Sequence, residues 1–343
     1  MTKKINSITV AATLVAFSSL VSRFLGIFRD RILAGQFGAG DTLDVYYAAF
    51  RIPDLMFNLL VLGALSAGFI PILTGLIKDF QCRGVAGYED SPNKKAWDLV
   101  SNILNVLMVV LIGISILGII FAPYLMKIVT PGFSPDKQML TAHITRIMFL
   151  SPIFLGISSV LGGILQSFKR FCVYSLAPIM YNIGIITGAL CFAPFWGVYG
   201  LAWGVVLGAF LHMLIQLPLA VKLGFRYRPL FNIRDKNLHR IGRMMVPRTM
   251  TLGITQLNLL VITIIASGLA GGSLAVFNFA NNLQYFPVGI FGISFAIAAF
   301  PTMSAVAFNK KKLVANFSYT ARQILFFIVP ATVLLLTLRA QIV

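Results

Sequence analysis

The chain has 343 residues, of which 58% are hydrophobic and only 11% are charged, and its mean hydropathy is +0.88. Soluble domains carry about 25% charged residues, so this composition excludes a soluble globular protein. The formal net charge is +18, and a strongly positive charge is typical of proteins that bind nucleic acid. It is equally expected of a membrane protein, because cytoplasmic loops collect Lys and Arg, and we therefore expect no nucleic-acid partner.

Apolar runs of about 20 residues recur along the whole chain and predict an all-α integral membrane protein. No period-two alternation supports strands. Nine transmembrane helices are predicted, over residues 6–34, 42–77, 97–121, 139–167, 174–193, 198–221, 240–267, 274–303 and 318–338.

The distribution of Lys and Arg between the loops predicts the orientation. With the N-terminus in the cytoplasm, 19 of these residues lie in cytoplasmic segments and 5 in outer segments. An excess of positive charge on the inner side is typical of membrane proteins, so a cytoplasmic N-terminus is expected.

An internal repeat is visible in two stretches, "AGDTLDVYYAAFR" at residues 39–51 and "AGGSLAVFNFANN" at residues 270–282, which align without gaps at a spacing of 231. Six predicted helices separate the copies, and this even number favours parallel repeats. We predict a six-helix N-terminal lobe over residues 1–231 and an incomplete second lobe of three helices over residues 232–343. A second half of equal length would end at about residue 460, so we expect the chain to be C-terminally truncated.

Arg23 is the first charged residue within an apolar run. An arginine at the bilayer centre costs about 2.5–3.5 kcal/mol on insertion scales, and it keeps its charge. Ser19, Arg23 and Gly26 share one helix face by their spacing. Arg23 is therefore predicted to face a protein interior or a water-filled cavity.

The second helix carries a similar polar face. Asp44, Arg51 and Asn58 recur every seven residues and so lie on one side of a helix. Asp54 is three residues from Arg51, a spacing that allows an ion pair. Pro53 lies between them and should kink the helix, which frees a backbone carbonyl.

Polar stripes also follow the seventh and eighth helices. Arg248 lies in the first of these, and Arg146 of the fourth span is a further candidate. The stripe of the eighth helix consists of Asn278, Asn281 and Asn282. Together with the arginines of the first two helices, these stripes predict a cationic cavity between two lobes. Guanidinium groups suit phosphates, so the predicted substrate is an anion such as a phosphate or pyrophosphate.

Structural alternatives exist for all of these residues. The arginines of the first two helices could form ion pairs with the aspartates of the second, and the asparagines could join neighbouring helices. Arg29 and Arg248 could snorkel to an interface. The histidines stand isolated in the sequence and are given no role: His143, His212 and His239.

The sequence favours a transporter over an enzyme. A membrane enzyme acting on polyprenyl phosphates would need clustered Asp, Glu or His to hold Mg²⁺ or to act as a base. The acidic cluster of this chain falls in a loop predicted to be solvated: Asp79, Glu89, Asp90 and Asp98. No P-loop motif occurs, so we expect no ATP, no other cofactor and no metal. A catalytically silent scaffold is a further alternative.

Three stretches resemble the MurJ/MviN lipid II flippases, members of the multidrug/oligosaccharidyl-lipid/polysaccharide exporter superfamily. They are "SRFLGIFRDRILAGQFGAGDTLDVYYAAFRIPDL", "GALSAGFIPIL" and "NLQYFPVGIFGISFAIAAFPTMS", and the resemblance runs from residue 5 to the end of the chain. It implies a fold of fourteen helices, in which two six-helix lobes form a V around a central cationic cavity. The last two helices would form a groove for the undecaprenyl tail. This chain has only the first nine helices.

The resemblance also implies roles for individual residues. Arg23 and Arg29 match the family's essential first-helix arginines, Asp44 matches its second-helix aspartate, and Arg51 falls where the family has a basic residue. The chain departs from the family where it has Phe57 and Asn58 in place of two arginines, Leu62 in place of a glutamate, and Asn282 in place of a cavity arginine. Arg248 is predicted to supply that missing charge.

A flippase of this family implies a function in peptidoglycan biosynthesis, and thus in cell wall biogenesis and cell shape. It would move the pyrophosphate head group of undecaprenyl-linked lipid II across the bacterial cytoplasmic membrane by alternating access, driven by the membrane potential or an ion gradient. Its partners would be this substrate and membrane lipids, and it would act as a monomer. Alternatives are an exporter of another polyprenyl-linked oligosaccharide and a multidrug antiporter, although the latter would prefer acidic residues in its cavity.

Overall fold

The computed structural model describes residues 2–62, 68–83, 92–293 and 309–338, together with residues 295, 299, 303 and 306, and these residues form helices and connecting turns. Parts of the predicted second and eighth spans, residues 63–67 and 296–298, lie outside the described residues, as do Glu89 and Asp90. Two compact units are present, residues 1–276 and residues 277–343. The prediction of an all-α membrane protein is confirmed.

The helices of the first unit follow the predicted spans closely. In chain order they are α1 (Thr2–Phe37), α2 (Asp41–Phe57), α3 (Ile70–Arg83), α4 (Pro92–Val129), α5 (Pro135–Met148), α6 (Ser151–Ser167), α7 (Phe171–Thr187), α8 (Ala193–Trp196), α9 (Val198–Leu214), α10 (Leu217–Lys222), α11 (Lys236–Ser267) and the start of α12 (Ser273–Pro287). Within the described part of the chain, six helical segments are long and apolar enough to cross a membrane.

Several predicted spans are interrupted. The span predicted over residues 198–221 breaks between α9 and α10, and the span predicted over residues 174–193 ends in a π-helical turn over Gly188–Phe192. The span predicted over residues 42–77 breaks into α2, a π-helical turn over Asn58–Leu62, and α3. The span predicted over residues 139–167 breaks into α5 and α6, because Pro152, in the first turn of α6, cannot donate a backbone hydrogen bond to α5. Apolar composition alone does not mark such breaks.

Glycines allow α7 and the π-helical turn that follows it to pack backbone against backbone with α9. A Cβ atom added at Gly184 would collide with the backbone of Gly208, and one added at Gly188 would collide with the backbone of Gly204. Small residues at this spacing are typical of close helix contacts within membranes, where dispersion forces and weak hydrogen bonds replace the hydrophobic effect. This contact joins α7 to α9 within the first unit.

The division into units does not coincide with the predicted lobes. The boundary predicted at residue 231 falls in the linker between α10 and α11, whereas the compact units divide after Val276. The reason is that α11 packs along α2, α4 and the π-helical turn of the first unit. The division into repeat lobes stays a prediction.

The second unit contains the rest of α12, a π-helical turn over Val288–Ile293, and α13 (Lys310–Thr337). The ring of Phe327 in α13 stacks on that of Phe291, with centroids 4.8 Å apart and planes 5° from parallel. Asn309 caps α13 by accepting a hydrogen bond from the Lys312 backbone N–H. The charged stretch at residues 310–312 thus forms the first turn of the helix.

Candidate functional site

A polar cavity of about 700 Å³ lies inside the first unit. It is lined by residues of α1, α2, the π-helical turn after α2, α3, α6, α7, α9 and the turn after α9. The polar residues among them are Ser19, Ser22, Arg23, Asp54, Asn58, Ser158, Ser159, Gln166, Tyr174, Ser175, Tyr181, His212 and Gln216. Ser19 and Arg23 therefore share a cavity wall, as their spacing predicts. Polar side chains are rare within membrane-spanning helices and mark substrate or ion pathways, so this cavity is the first part of the candidate site.

Asp54, near the end of α2, and Asn58, in the π-helical turn that follows, both lie on the cavity wall. Asn58 Nδ2 donates to the Asp54 backbone carbonyl over 2.8 Å, at the point where Pro53 and the π-helical turn disturb the regular ladder. The carboxylate of Asp54 accepts no hydrogen bond from any residue that the structure describes. An ionisable group on the wall of a polar cavity remains available to a ligand or to water.

A buried hydrogen-bond network lies along the same cavity. Ser158 Oγ is 2.6 Å from His212 Nδ1, and Gln216 Nε2 donates to Ser158 Oγ over 2.6 Å. Gln216 is fully buried, and its Oε1 atom has no hydrogen-bond partner within the described residues. His212, isolated in the sequence, is thus part of a network with Ser158, 54 positions away on α6, and with Gln216, which lies in the turn between α9 and α10.

Arg29 belongs to a different environment. Its Nε and Nη2 atoms donate to Asp30 Oδ1 over 3.0 and 2.8 Å, and its Nη1 atom donates to Asn182 Oδ1 over 3.1 Å. The guanidinium thus joins α1 to α7 inside the unit rather than snorkelling to an interface. A role for Arg29 in substrate binding stays a prediction.

Arg51 points toward α11. Its Nε atom donates to Thr263 Oγ1 over 2.7 Å, and Thr263 is fully buried. Near the other end of α2, Thr249 Oγ1 donates to the backbone carbonyl of Leu59 over 3.3 Å. These two hydrogen bonds join α2 and the π-helical turn to α11.

Asp44 lies at one end of the first unit. We name this region the Asp44 end and define it as residues 38–44, 130–137 and 267–276. Its Oδ2 atom accepts from the Gly272 N–H over 2.7 Å and its Oδ1 atom accepts from the Ala275 N–H over 2.9 Å. The carboxylate of one repeat copy therefore caps the N-terminus of α12, which belongs to the other copy. A carboxylate at a helix N-terminus satisfies free N–H groups and interacts favourably with the helix dipole.

Glycines bring the backbones together at the Asp44 end. Gly272 has φ +91°, and a Cβ atom there would collide with the Ala39 carbonyl oxygen. Gly132 donates its N–H to Ser267 Oγ over 3.1 Å, and a Cβ atom at Gly132 would collide with the backbone of Gly268. A residue larger than glycine at position 132 or 272 would therefore force these backbones apart.

The remaining predicted site residues lie elsewhere. Arg248 is exposed on α11, and Arg146 donates to the Ile119 carbonyl on α4 over 3.1 Å, which is a structural contact. The three asparagines of α12 are half-buried in the second unit: Asn278, Asn281 and Asn282. Their role in substrate binding stays a prediction.

Sequence reasoning missed two parts of the site. Lys137, counted only as an outer loop charge, forms ion pairs with Asp41 and Asp44. The network of Ser158, His212 and Gln216 was also missed, because nothing distinguishes Ser158 from the other serines of α6 in the sequence. The repeat alignment held a usable signal for the Asp44 contact, because it pairs Asp44 with Ala275, whose N–H the carboxylate accepts.

Comparison with known proteins places this architecture in a family. The family model described as "Lipid II flippase MurJ" matches residues 33–343. The chain is 33% identical over 294 residues to the lipid II flippase MurJ of Burkholderia cenocepacia, which covers 83% of this chain and 55% of that protein. The chain spans a little over half the length of the curated relatives it matches.

Solved structures agree on the fold. A lipid II flippase MurJ in an inward closed conformation matches with a TM-score of 0.75 and 22% identity, over 95% of this chain and 65% of that one. An inward-facing multidrug resistance transporter of the MATE family, in the MOP superfamily, matches with a TM-score of 0.67 and 15% identity, over 94% of this chain and 71% of that one. The chain belongs to the MurJ family.

Proposed function

We propose that the chain forms the greater part of the transport pathway of a lipid II flippase, which carries the pyrophosphate-linked head group across the bacterial cytoplasmic membrane. The observation that carries this proposal is Arg23 on the wall of a polar cavity inside a bundle of membrane-spanning helices. An arginine there stays charged and offers planar N–H donors to phosphate oxygens. Membership of the MurJ family and the names of its relatives support the choice of lipid II.

The mechanism we propose is alternating access. With the N-terminus in the cytoplasm, as the distribution of Lys and Arg favours, the Asp44 end faces outward. The Asp44–α12 contact would close the outer side while the head group enters from the inner leaflet, and its rupture would let the head group leave. The apolar tail would stay in lipid throughout, so only the polar head needs a path.

No ATP-binding motif is present in the sequence, so we propose that the cycle draws on the membrane potential or an ion gradient. We further propose that the protein acts as a monomer without a cofactor. A multidrug antiporter shares the fold, but a cationic drug would be repelled by Arg23 rather than attracted to it.

Cells depleted of their own lipid II flippase provide the test. The full-length gene that encodes this sequence, with or without Arg23→Ala, is expressed in such cells, and the lipid II that reaches the outer face is measured. Arg31→Ala is the matched control, because Arg31 is an exposed arginine at the end of the same helix. We expect the parent and Arg31→Ala to restore outer-face lipid II and Arg23→Ala to fail. Full activity of a stably inserted Arg23→Ala variant would contradict the proposal.

A further inference from the structure

Lys137 lies in the first turn of α5, at the Asp44 end. Its Nζ atom is 2.7 Å from Asp41 Oδ1 and 3.2 Å from Asp44 Oδ2, and it sits 3.9 Å above the centre of the Phe133 ring. The side chain of Asp44 is only 3% exposed and that of Lys137 15%, whereas that of Asp41 is 73% exposed. Lys137 therefore connects a solvated carboxylate to a buried one.

The groups around Asp44 belong to two sets of helices. Lys137 on α5 and Asp44 on α2 lie on helices that pack against each other. The two N–H groups that Asp44 accepts from come from Gly272 and Ala275, at the start of α12. If α12 moves away from α2, the bonds to these N–H groups break, while the ion pair with Lys137 persists.

The ion pair does not have the same strength in the two arrangements. While the end is closed, Asp44 is excluded from water, and removing one partner of a buried ion pair is strongly destabilising. Once the end is open, water surrounds both groups, and a solvated pair contributes little. Lys137 thus favours the closed arrangement over the open one without touching α12 itself.

We propose that Lys137 is the counter-ion that keeps the Asp44 end closed, a positioning residue that acts by holding the Asp44 carboxylate aimed at the N-terminus of α12. This inference rests on the proposed function in one respect, namely that the Asp44 end opens during transport. Asp41 positions the ammonium group from the solvent side, and Phe133 holds it by a cation–π contact.

Thiol labelling measures the opening directly. The reporter is Ser267→Cys, because Ser267 is 3% exposed within the closed end. It is introduced into the full chain after the native cysteines are replaced by serine: Cys82, Cys172 and Cys191. Purified protein in vesicles that contain no lipid II is treated with a membrane-impermeant thiol reagent, so the result does not depend on whether lipid II is the substrate.

We expect Lys137→Met to raise the labelling rate by about 5- to 30-fold, less than for a fully enclosed ion pair, because the Lys137 side chain is still 15% exposed. Lys137→Arg should restore a rate close to that of the parent. Lys127→Met is the matched control. Lys127 lies in the last turn of α4, next to the Asp44 end, and its ammonium group contacts the Tyr124 ring. Its replacement changes the net charge by the same amount as Lys137→Met. Its labelling rate should equal that of the parent.

A second reporter separates local opening from general loosening. Ser115→Cys lies in the middle of α4, where Ser115 is 2% exposed and donates to the Phe149 carbonyl. Lys137→Met should leave its labelling unchanged. Three results would overturn the proposal. The first is that Ser267→Cys is labelled at the parent rate in Lys137→Met, and the second is that Lys127→Met accelerates its labelling as much as Lys137→Met does. The third is that Lys137→Met accelerates labelling equally at both reporters.

Discussion

Gly272 offers the sharpest test of the closed Asp44 end. Gly272→Ala places a methyl group against the Ala39 carbonyl oxygen and must push α12 away from α2. The left-handed backbone, φ +91°, adds a cost of about 1–2 kcal/mol for a residue with a Cβ atom. The displacement also breaks the bond between Asp44 and the Gly272 N–H, a bond to a charged group worth about 1.5–3 kcal/mol.

Gly38→Ala is the matched control for Gly272→Ala. Gly38 also has a positive φ, +63°, and lies at the same end, but a Cβ atom there meets nothing within 4 Å. Both variants carry the backbone cost, and only Gly272→Ala loses the Asp44 bond. Labelling of Ser267→Cys should therefore be about 10- to 100-fold faster in Gly272→Ala than in Gly38→Ala. Equal rates in the two variants would show that closure does not depend on the close approach at Gly272.

Two further predictions concern stability. Gly188→Ala overfills the contact with Gly204 and should destabilise the first unit by about 1–3 kcal/mol, seen as a lower midpoint of thermal unfolding in detergent. Gly113→Ala is the control: it lies on an open face of α4, and because Ala favours helix more than Gly does, this change should not lower the midpoint. Asn102→Ala removes both hydrogen bonds to the backbone of Asn232 and should expose the linker before α11 to proteolysis; an unchanged rate of cleavage would refute a holding role for Asn102.

The positions of the helices follow from the sequence because burial in lipid demands long apolar segments with internal backbone hydrogen bonds. The breaks within them do not follow so directly. Pro53 predicts a kink in α2, but nothing in its composition marks the π-helical turn that begins at Asn58. Likewise, the apolar run through Phe149 continues without a signal other than Pro152, although α5 ends at Met148.

The site was predictable where a contact depends on helix spacing. Ser19 and Arg23 share a cavity wall because they are four residues apart on α1. Contacts between distant segments were not predictable in this way. Lys137 and Asp44 are 93 residues apart, and the partners of Asp44 on α12 are backbone N–H groups, which every residue except proline carries.

Binding of a pyrophosphate lipid to the purified chain tests the central claim most directly. The chain in lipid nanodiscs is titrated with undecaprenyl pyrophosphate and, as a comparison, with undecaprenol, which has the same tail without the charged head. The account predicts saturable binding of the pyrophosphate lipid alone, and a loss of affinity of about tenfold or more in Arg23→Gln, because hydrogen bonds to charged groups contribute about 1.5–3 kcal/mol each. Equal affinity of the parent and Arg23→Gln, or equal binding of the two lipids, would contradict it.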